Sequence, residues 1–421
     1  METIIIARNR AYALCWALAG VGFLYACGGR TPLDLLSGQD RDHSSVADAG
    51  HASDAALGPD AGRGPDAAPP FCAWELAPRV LYPAMLSPES VAAGDLDGDG
   101  HPDLVVGNIN ALTISVFHNR GDGTFAPQVT YQQFQAEDLA LADFDGDGRL
   151  DVVASNGNGG SVSVVRNVGG GKLGDGTVYP VGGYPYAIAL ADFDGDGHLD
   201  IATANNTSAS VSILRNLGDG TFAPRVAYDF GSRPEGIAAG DFDGDGHPDL
   251  AATSWGWLGS FGAPAMVGVF HNNGDGSFAL QATYTAGDAP AGLAAADFDG
   301  DGHLDLVVGD DFSAIRVFLN LGDGTFGTPT ELADEFGPGH MVVADLDRDG
   351  HLDITAANHD DGTLSLFLGN GDGTFAPVIA VPVDQDSAGI AAADLNGDGY
   401  PDLAFASFGT NSLGVILSKC R

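Results

Sequence analysis

Positive charge is scarce in this chain. Seventeen Lys and Arg stand against 57 Asp and Glu in 421 residues, a formal net charge of -40. Binding a phosphate backbone takes clustered cations, so nucleic acid is excluded as a partner. Long apolar runs are also missing: AYALCWALAGVGFL (11–24) is the one near the start, too short for a membrane-spanning helix of about 20 residues. Yet 44% of residues are hydrophobic, which excludes a disordered acidic chain. The length allows two or three ordinary domains or one large all-β domain.

Residues 1–26 read as an export signal, with Arg8 and Arg10 ahead of the apolar run. LYAC resembles a bacterial lipobox, which implies cleavage before Cys27 and acylation of that cysteine; ordinary secretion with cleavage nearby is the alternative. Gly28 after it is what the resemblance associates with the outer membrane. Residues 27–70, including HASDAALGPDAGRGPDAAPP, have nothing to bury and read as a flexible tether. The folded domain is expected over 71–421.

One acidic loop recurs seven times, beginning at Asp95, Asp143, Asp192, Asp241, Asp297, Asp345 and Asp394, at intervals of 48, 49, 49, 56, 48 and 49 residues. Strand-length runs flank each copy, such as AIALAD before and DIATA after. A third, alternating run (SVSILRN) then turns through N-x-G-D-G-T-F into a fourth (APRVAY). Four strands in each of seven units predict an all-β fold, a seven-bladed β-propeller. The Ala and Gly of the first run suit strands crowded around an axis. In the second unit, gap-free register makes NVGGGKL (167–173) the turn, although GDGT follows at 174–177. That turn lacks the aspartate, which favours a backbone role for the motif over a second metal site.

The units do not begin at a blade boundary. LAPRVLYPAMLSPESVAAGD (76–95) matches a fourth strand leading into the first loop, and SLGVILSKCR stops where a turn would begin, so the last blade is expected to draw on both chain ends. Of four cysteines, Cys15 leaves with the signal and Cys27 carries lipid. Cys72 and Cys420 both fall at the first Gly of the missing turn, and a disulfide between them is expected in an exported protein; two free thiols are the alternative.

Each loop reads D-x-[DN]-x-D-G-x-x-D, apart from Arg348 at the glycine of the fourth place of one copy. The candidate ligands are Asp95, Asp97, Asp99 and Asp103; Asp143, Asp145, Asp147 and Asp151; Asp192, Asp194, Asp196 and Asp200; Asp241, Asp243, Asp245 and Asp249; Asp297, Asp299, Asp301 and Asp305; Asp345, Asp347, Asp349 and Asp353; and Asp394, Asn396, Asp398 and Asp402. Four side-chain oxygens and the seventh-place carbonyl in a tight loop suit Ca²⁺. The Glu that a helical EF-hand needs at its twelfth place is absent, so the ninth aspartate must complete the site. About seven calcium sites are expected, with Asn396 and Arg348 weakening theirs. Catalysis by these carboxylates is not expected, because seven equivalent copies provide no single pair with divergent pKa values. The seventh places hold His101, Arg149, His198, His247, His303, His351 and Tyr400, too dispersed around a ring to share a transition metal.

This pattern resembles the FG-GAP or VCBS repeat of integrin α-subunit propellers and many bacterial surface proteins, over residues 76–418. The resemblance implies calcium hairpins on one face and ligand-binding loops on the other, those joining strands two to three and four to one. It brings forward Tyr184, Tyr186, Phe230, Arg233, Trp255, Trp257 and Phe261, the last three within the irregular WGWLGSFGAPAM (255–266), for which an insertion folded onto its own blade is the alternative. Exposed aromatics beside Arg suit a protein or a sugar. Arg120-Gly121-Asp122 spells the tripeptide that integrins recognise, but sits in a turn whose first residue varies. The expectation is a monomeric, non-enzymatic surface binding module whose partner is an extracellular protein or glycan and whose only membrane contact is a lipid. The alternatives are a lectin, as in a fungal seven-bladed family, and a polysaccharide-degrading enzyme, for which no nucleophile–base set stands out.

Overall fold

The computed structural model describes residues 74–132, 134–255, 265–311, 314–333, 338–359 and 361–420. The expected signal (1–26) and tether (27–70) lie outside them, as do Cys72, Trp257 and Phe261. Seven four-stranded antiparallel sheets form the blades of a propeller. The innermost strands are Pro88–Gly94, Ala136–Ala142, Pro185–Ala191, Pro234–Gly240, Pro290–Ala296, Pro338–Ala344 and Ser387–Ala393. Each contacts the next and the last contacts the first, so the ring closes. Crowding at the axis explains their Ala and Gly: a Cβ on Gly292 would lie 2.5 Å from the Gly339 carbonyl oxygen of the next blade. No helix among the described residues is long and apolar enough to cross a membrane.

Burial follows position in the blade. Second strands such as Asp103–Asn108 and Asp200–Asn205 are buried throughout, covered on both faces by neighbouring blades. Fourth strands such as Val129–Gln132 and Val226–Asp229 are exposed except for one half-buried residue, Tyr131 or Tyr228. Aromatic pairs join adjacent blades edge to face. Phe144 meets Phe222 with ring centroids 5.5 Å apart, Phe193 meets Phe278 at 5.3 Å and Phe298 meets Phe375 at 5.6 Å.

The last blade is built from both ends, as expected: Val80–Pro83 pairs with Ser412–Ile416. A short extra ladder follows, in which Trp74–Leu76 pairs with Ser418–Cys420 and Trp74 stands opposite Cys420. It occupies the place of the missing turn. The expected partner of Cys420, Cys72, lies outside the described residues. In the second blade Val168 N–H donates to Lys172 O at 2.8 Å and GDGT lies inside the strand Leu173–Pro180, in agreement with the gap-free register.

Candidate functional site

Each acidic loop is organised by its own carboxylates. In the first blade Asp95 Oδ1 accepts the Gly98 N–H at 2.8 Å and Oδ2 the Gly100 N–H at 2.9 Å, while Asp99 Oδ1 accepts the His101 N–H at 2.9 Å. The buried ninth residue, Asp103, accepts the Leu96 N–H on Oδ2 at 3.2 Å and the Asn119 N–H on Oδ1 at 2.8 Å. Both glycines need positive φ, +81° at Gly98 and +89° at Gly100. Arg348 takes the corresponding conformation at φ 61°, and its guanidinium lies over the Tyr400 ring of the next blade, 5.3 Å from the centroid.

The carboxylates of a loop lie close enough to share an ion. Single oxygens of Asp95, Asp97 and Asp99 fall within 4.8 Å of one another, as do those of Asp143, Asp145 and Asp151 and of Asp192, Asp194 and Asp200. Loss of hydration pushes the ninth carboxyl up throughout: Asp103 rises, Asp151 and Asp249 reach about 6, and Asp200, Asp305, Asp353 and Asp402 about 7. These are buried acids in need of positive charge.

Four blades set a basic side chain of their own against the loop. The residue before the turn Asn is basic in blades one to four and reaches the third-place aspartate: His118 Nδ1 to Asp97 at 3.6 Å, Arg166 to Asp145 at 3.2 Å, Arg215 to Asp194 at 3.3 Å and His271 Nδ1 to Asp243 at 3.0 Å. Blades five to seven have Leu319, Leu368 and Leu417 there. Asp299 and Asp347, in blades five and six, are raised chiefly by desolvation, and blade seven has the neutral Asn396.

In blades one to five the Asn that opens the turn ties the loop to its neighbour. Asn216 Nδ2 donates to Leu199 O of its own blade at 3.1 Å and to Phe144 O of the preceding blade at 2.9 Å. Asn119, Asn167, Asn272 and Asn320 make the same pair of bonds. The turn aspartate caps its own turn, as Asp122 does in accepting the Thr124 N–H and hydroxyl at 3.0 and 2.6 Å, which holds its carboxyl low. Asp122 is therefore committed to the turn, and Arg120 donates to Phe125 O at 2.7 Å. The seventh-place histidines pack on the turn: a Cβ on Gly121 would lie 2.5 Å from His101, and His198, His247 and His303 cover Gly218, Gly274 and Gly322 likewise.

Innermost strands run toward the acidic loops, so their first residues open on the other face. Tyr184 and Tyr186 stack there, tilted, with centroids 4.9 Å apart. Arg233 is exposed, and its carbonyl accepts the N–H of the half-buried Trp255 at 3.3 Å. Phe230 and Tyr186 correct the expectation of exposed aromatics: Phe230 is 2% exposed and packs on Phe270, because Gly268 leaves room for its ring, and Tyr186 is 6% exposed and packs on Ala291. The sequence reading passed over three acids on this face. Glu89, Glu137 and Glu235, second in their innermost strands, expose 4%, 0% and 5%. Tyr184 OH donates to Glu137 Oε1 at 3.1 Å, and Asn206 Nδ2 to Glu235 Oε1 at 3.0 Å. Aligning the repeats finds them, as charged residues in an otherwise small and apolar run.

No curated protein matches the chain. Among solved structures, the Agrocybe aegerita lectin described as recognising non-reducing terminal N-acetylglucosamine is 25% identical, with a TM-score of 0.51 over 79% of this chain and 85% of that one. BBS1N, solved in complex with ARL6DN, is 13% identical, with a TM-score of 0.58 over 82% and 97%, and shares the fold. The family model for the FG-GAP-like repeat matches residues 95–154, 143–203, 192–252, 258–308, 297–356 and 345–405. Five of the six matches run from one acidic loop into the second strand of the next blade, and the sixth, 258–308, covers the loop that begins at Asp297. With most of its blades matched in this way, the chain belongs to the FG-GAP-like repeat family.

Proposed function

We propose that this protein is a calcium-stabilised, non-enzymatic binding module, exported and held at the outer membrane or cell surface by a lipid on Cys27 and the tether behind it. The observation that carries the calcium reading is the ninth carboxyl of each loop, buried and raised, beside aspartates that approach within 4.8 Å in the loops of blades one to three. The donor set fits: hard oxygens on a preformed loop suit Ca²⁺, which supplies the missing charge. First-, third-, fifth- and ninth-place side chains would hold it, with the seventh carbonyl. At Kd of ~0.1 mM in ~1 mM calcium each site would contribute about 1.4 kcal/mol, and seven roughly 10. Calorimetric titration of the chelated protein tests this, and the absence of saturable calcium binding would reject it.

The ligand belongs to the face opposite the loops, where the aromatic and acidic side chains gather. The partner is an extracellular protein or glycan, met by a monomer. A carbohydrate ligand is the second reading, favoured by the similarity to the N-acetylglucosamine-specific lectin. A glycan and surface-protein screen on the calcium-loaded chain, with Trp255→Ala/Trp257→Ala as control, separates the two. Turnover of a polysaccharide in the same screen would overturn the non-enzymatic reading.

A further inference from the structure

The basic residue set against the loop in blades one to four is of two kinds. Arg166 and Arg215 offer only N–H donors, whereas the neutral rings of His118 and His271 each keep one nitrogen with a free lone pair. That difference decides what the loop can hold. In blade one His118 Nδ1 lies 3.6 Å from Asp97 Oδ2 and 3.2 Å from Asp103 Oδ2. In blade four His271 Nδ1 lies 3.0 Å from Asp243 Oδ2 and 3.4 Å from Asp249 Oδ1. One donor atom each from Asp97, Asp103 and His118 falls within 4.8 Å of the others, and the same holds for Asp243, Asp245 and His271.

Both nitrogens are held in place. A Cβ on Gly171 would run into the His118 ring, so the turn of blade two keeps that ring over the loop of blade one. His271 Nδ1 is buried and makes no hydrogen bond with any described residue, although two carboxylates stand beside it. Ligands around an ion behave in this way, facing a common point and not one another. In a tetrahedral shell with bonds of about 2.1 Å, donor atoms stand about 3.4 Å apart. The separations of 3.0 to 3.6 Å bracket that spacing.

The donor set specifies the ion. Calcium takes oxygen ligands and would leave the nitrogen unused, whereas an imidazole beside carboxylates suits Zn²⁺ and similar ions of the first transition row. Two carboxylates, one imidazole and a water complete a four-coordinate shell. Building on the cation-binding role proposed above for the loops, we propose that the loops of blades one and four take a divalent transition ion of the zinc type in preference to calcium, with His118 and His271 as the selecting ligands. The other five loops have arginine or leucine at that place, neither of which can ligate, and are left to calcium.

Calorimetry with Zn²⁺ on the full chain, stripped with chelator and then held in ~1 mM calcium, tests this. Two zinc ions per chain are expected to bind without displacement by the calcium, and Co²⁺ in their place should give the visible absorption of a four-coordinate site. His118→Leu and His271→Leu should each remove one ion, and the double variant both. Leucine is the residue of blades five to seven and arginine that of blades two and three, so His118→Arg and His271→Arg replace any leucine variant that circular dichroism shows to be unfolded. The wild-type number of zinc ions in either single variant, zinc retained by the double variant, or its displacement by calcium overturns the proposal. Calcium binding without zinc binding ends this proposal and leaves the calcium reading standing. Zinc at these two loops without saturable calcium binding does the reverse, and failure of both ions ends both.

Discussion

Blades one to four and blades five to seven share one loop but set different side chains against it. In the first group His118, Arg166, Arg215 or His271 sits against the third-place aspartate. In the second, leucine occupies that place, and the aspartates of blades five and six are raised by desolvation. A basic side chain set against the loop stabilises it before any ion arrives, but competes for the oxygen an ion would use. A leucine does the reverse. Blades five to seven should therefore depend more on calcium, and the ring should weaken there first.

Chelation is the largest test. With calcium removed, the melting temperature is expected to fall by ~10–20 °C. Hydrogen exchange should lose protection in blades five to seven ahead of blades one to four. Uniform loss around the ring would break the comparison, and unchanged melting would sink the calcium reading as well.

Cutting an inter-blade clip should cost somewhat less. Asn320→Ala removes a buried amide that bridges Leu304 O and Phe242 O, and a loss of ~2–3 kcal/mol in denaturant unfolding is expected. Blade six has Gly369 instead of Asn, and its link to blade five is the Gly373 N–H to Phe298 O, 3.1 Å. Gly369 cannot be upgraded, since a Cβ there would run into the Leu352 carbonyl. Gly369→Asn should destabilise, and a gain in stability would refute this account of the clip.

Exchanging the cation and the leucine sharpens the comparison directly. Leu319→Arg should make blade five less sensitive to chelator and lower its calcium affinity, while Arg215→Leu should do the opposite in blade three. Arg215 is half exposed, so solvent screens its pair with Asp194, and changes of ~0.5–1 kcal/mol are expected. Site-resolved calcium titration by NMR reads both, and shifts of equal sign in the two variants would contradict the scheme.

The smallest effect concerns the opposite face. Glu235 binds its proton more tightly folded than unfolded, with a folded pKa of about 8. Its contribution to stability is therefore full below the unfolded value of about 4.3 and is lost as pH rises toward 8. Glu235→Gln should flatten that part of the pH–stability curve, as read from urea midpoints between pH 5 and 8. A curve parallel to wild type would show that the carboxyl is balanced by a neighbour.

Much of this was open to reading from the repeats. The interval, the flanking apolar runs and the match of residues 76–95 to an internal segment determined seven blades, the acidic hairpins and a last blade sewn from both ends, because a repeated pattern can bury its faces only by stacking on copies of itself. Composition also gave the expectation that nucleic acid is not the partner. Tertiary structure decided the rest. Phe230 reads as a surface aromatic beside Arg233, yet lies in the core because Gly268 on a neighbouring strand makes space for it. The basic residues beneath four loops look like unrelated surface charges until the hairpin sets each against an aspartate about 20 residues or more away. Glu89, Glu137 and Glu235 are separated by 48 and 98 residues, and only closure of the ring gathers them at one mouth. Local pattern is written in neighbouring residues and survives in sequence, whereas burial and charge balance depend on which distant residues the closed ring brings together.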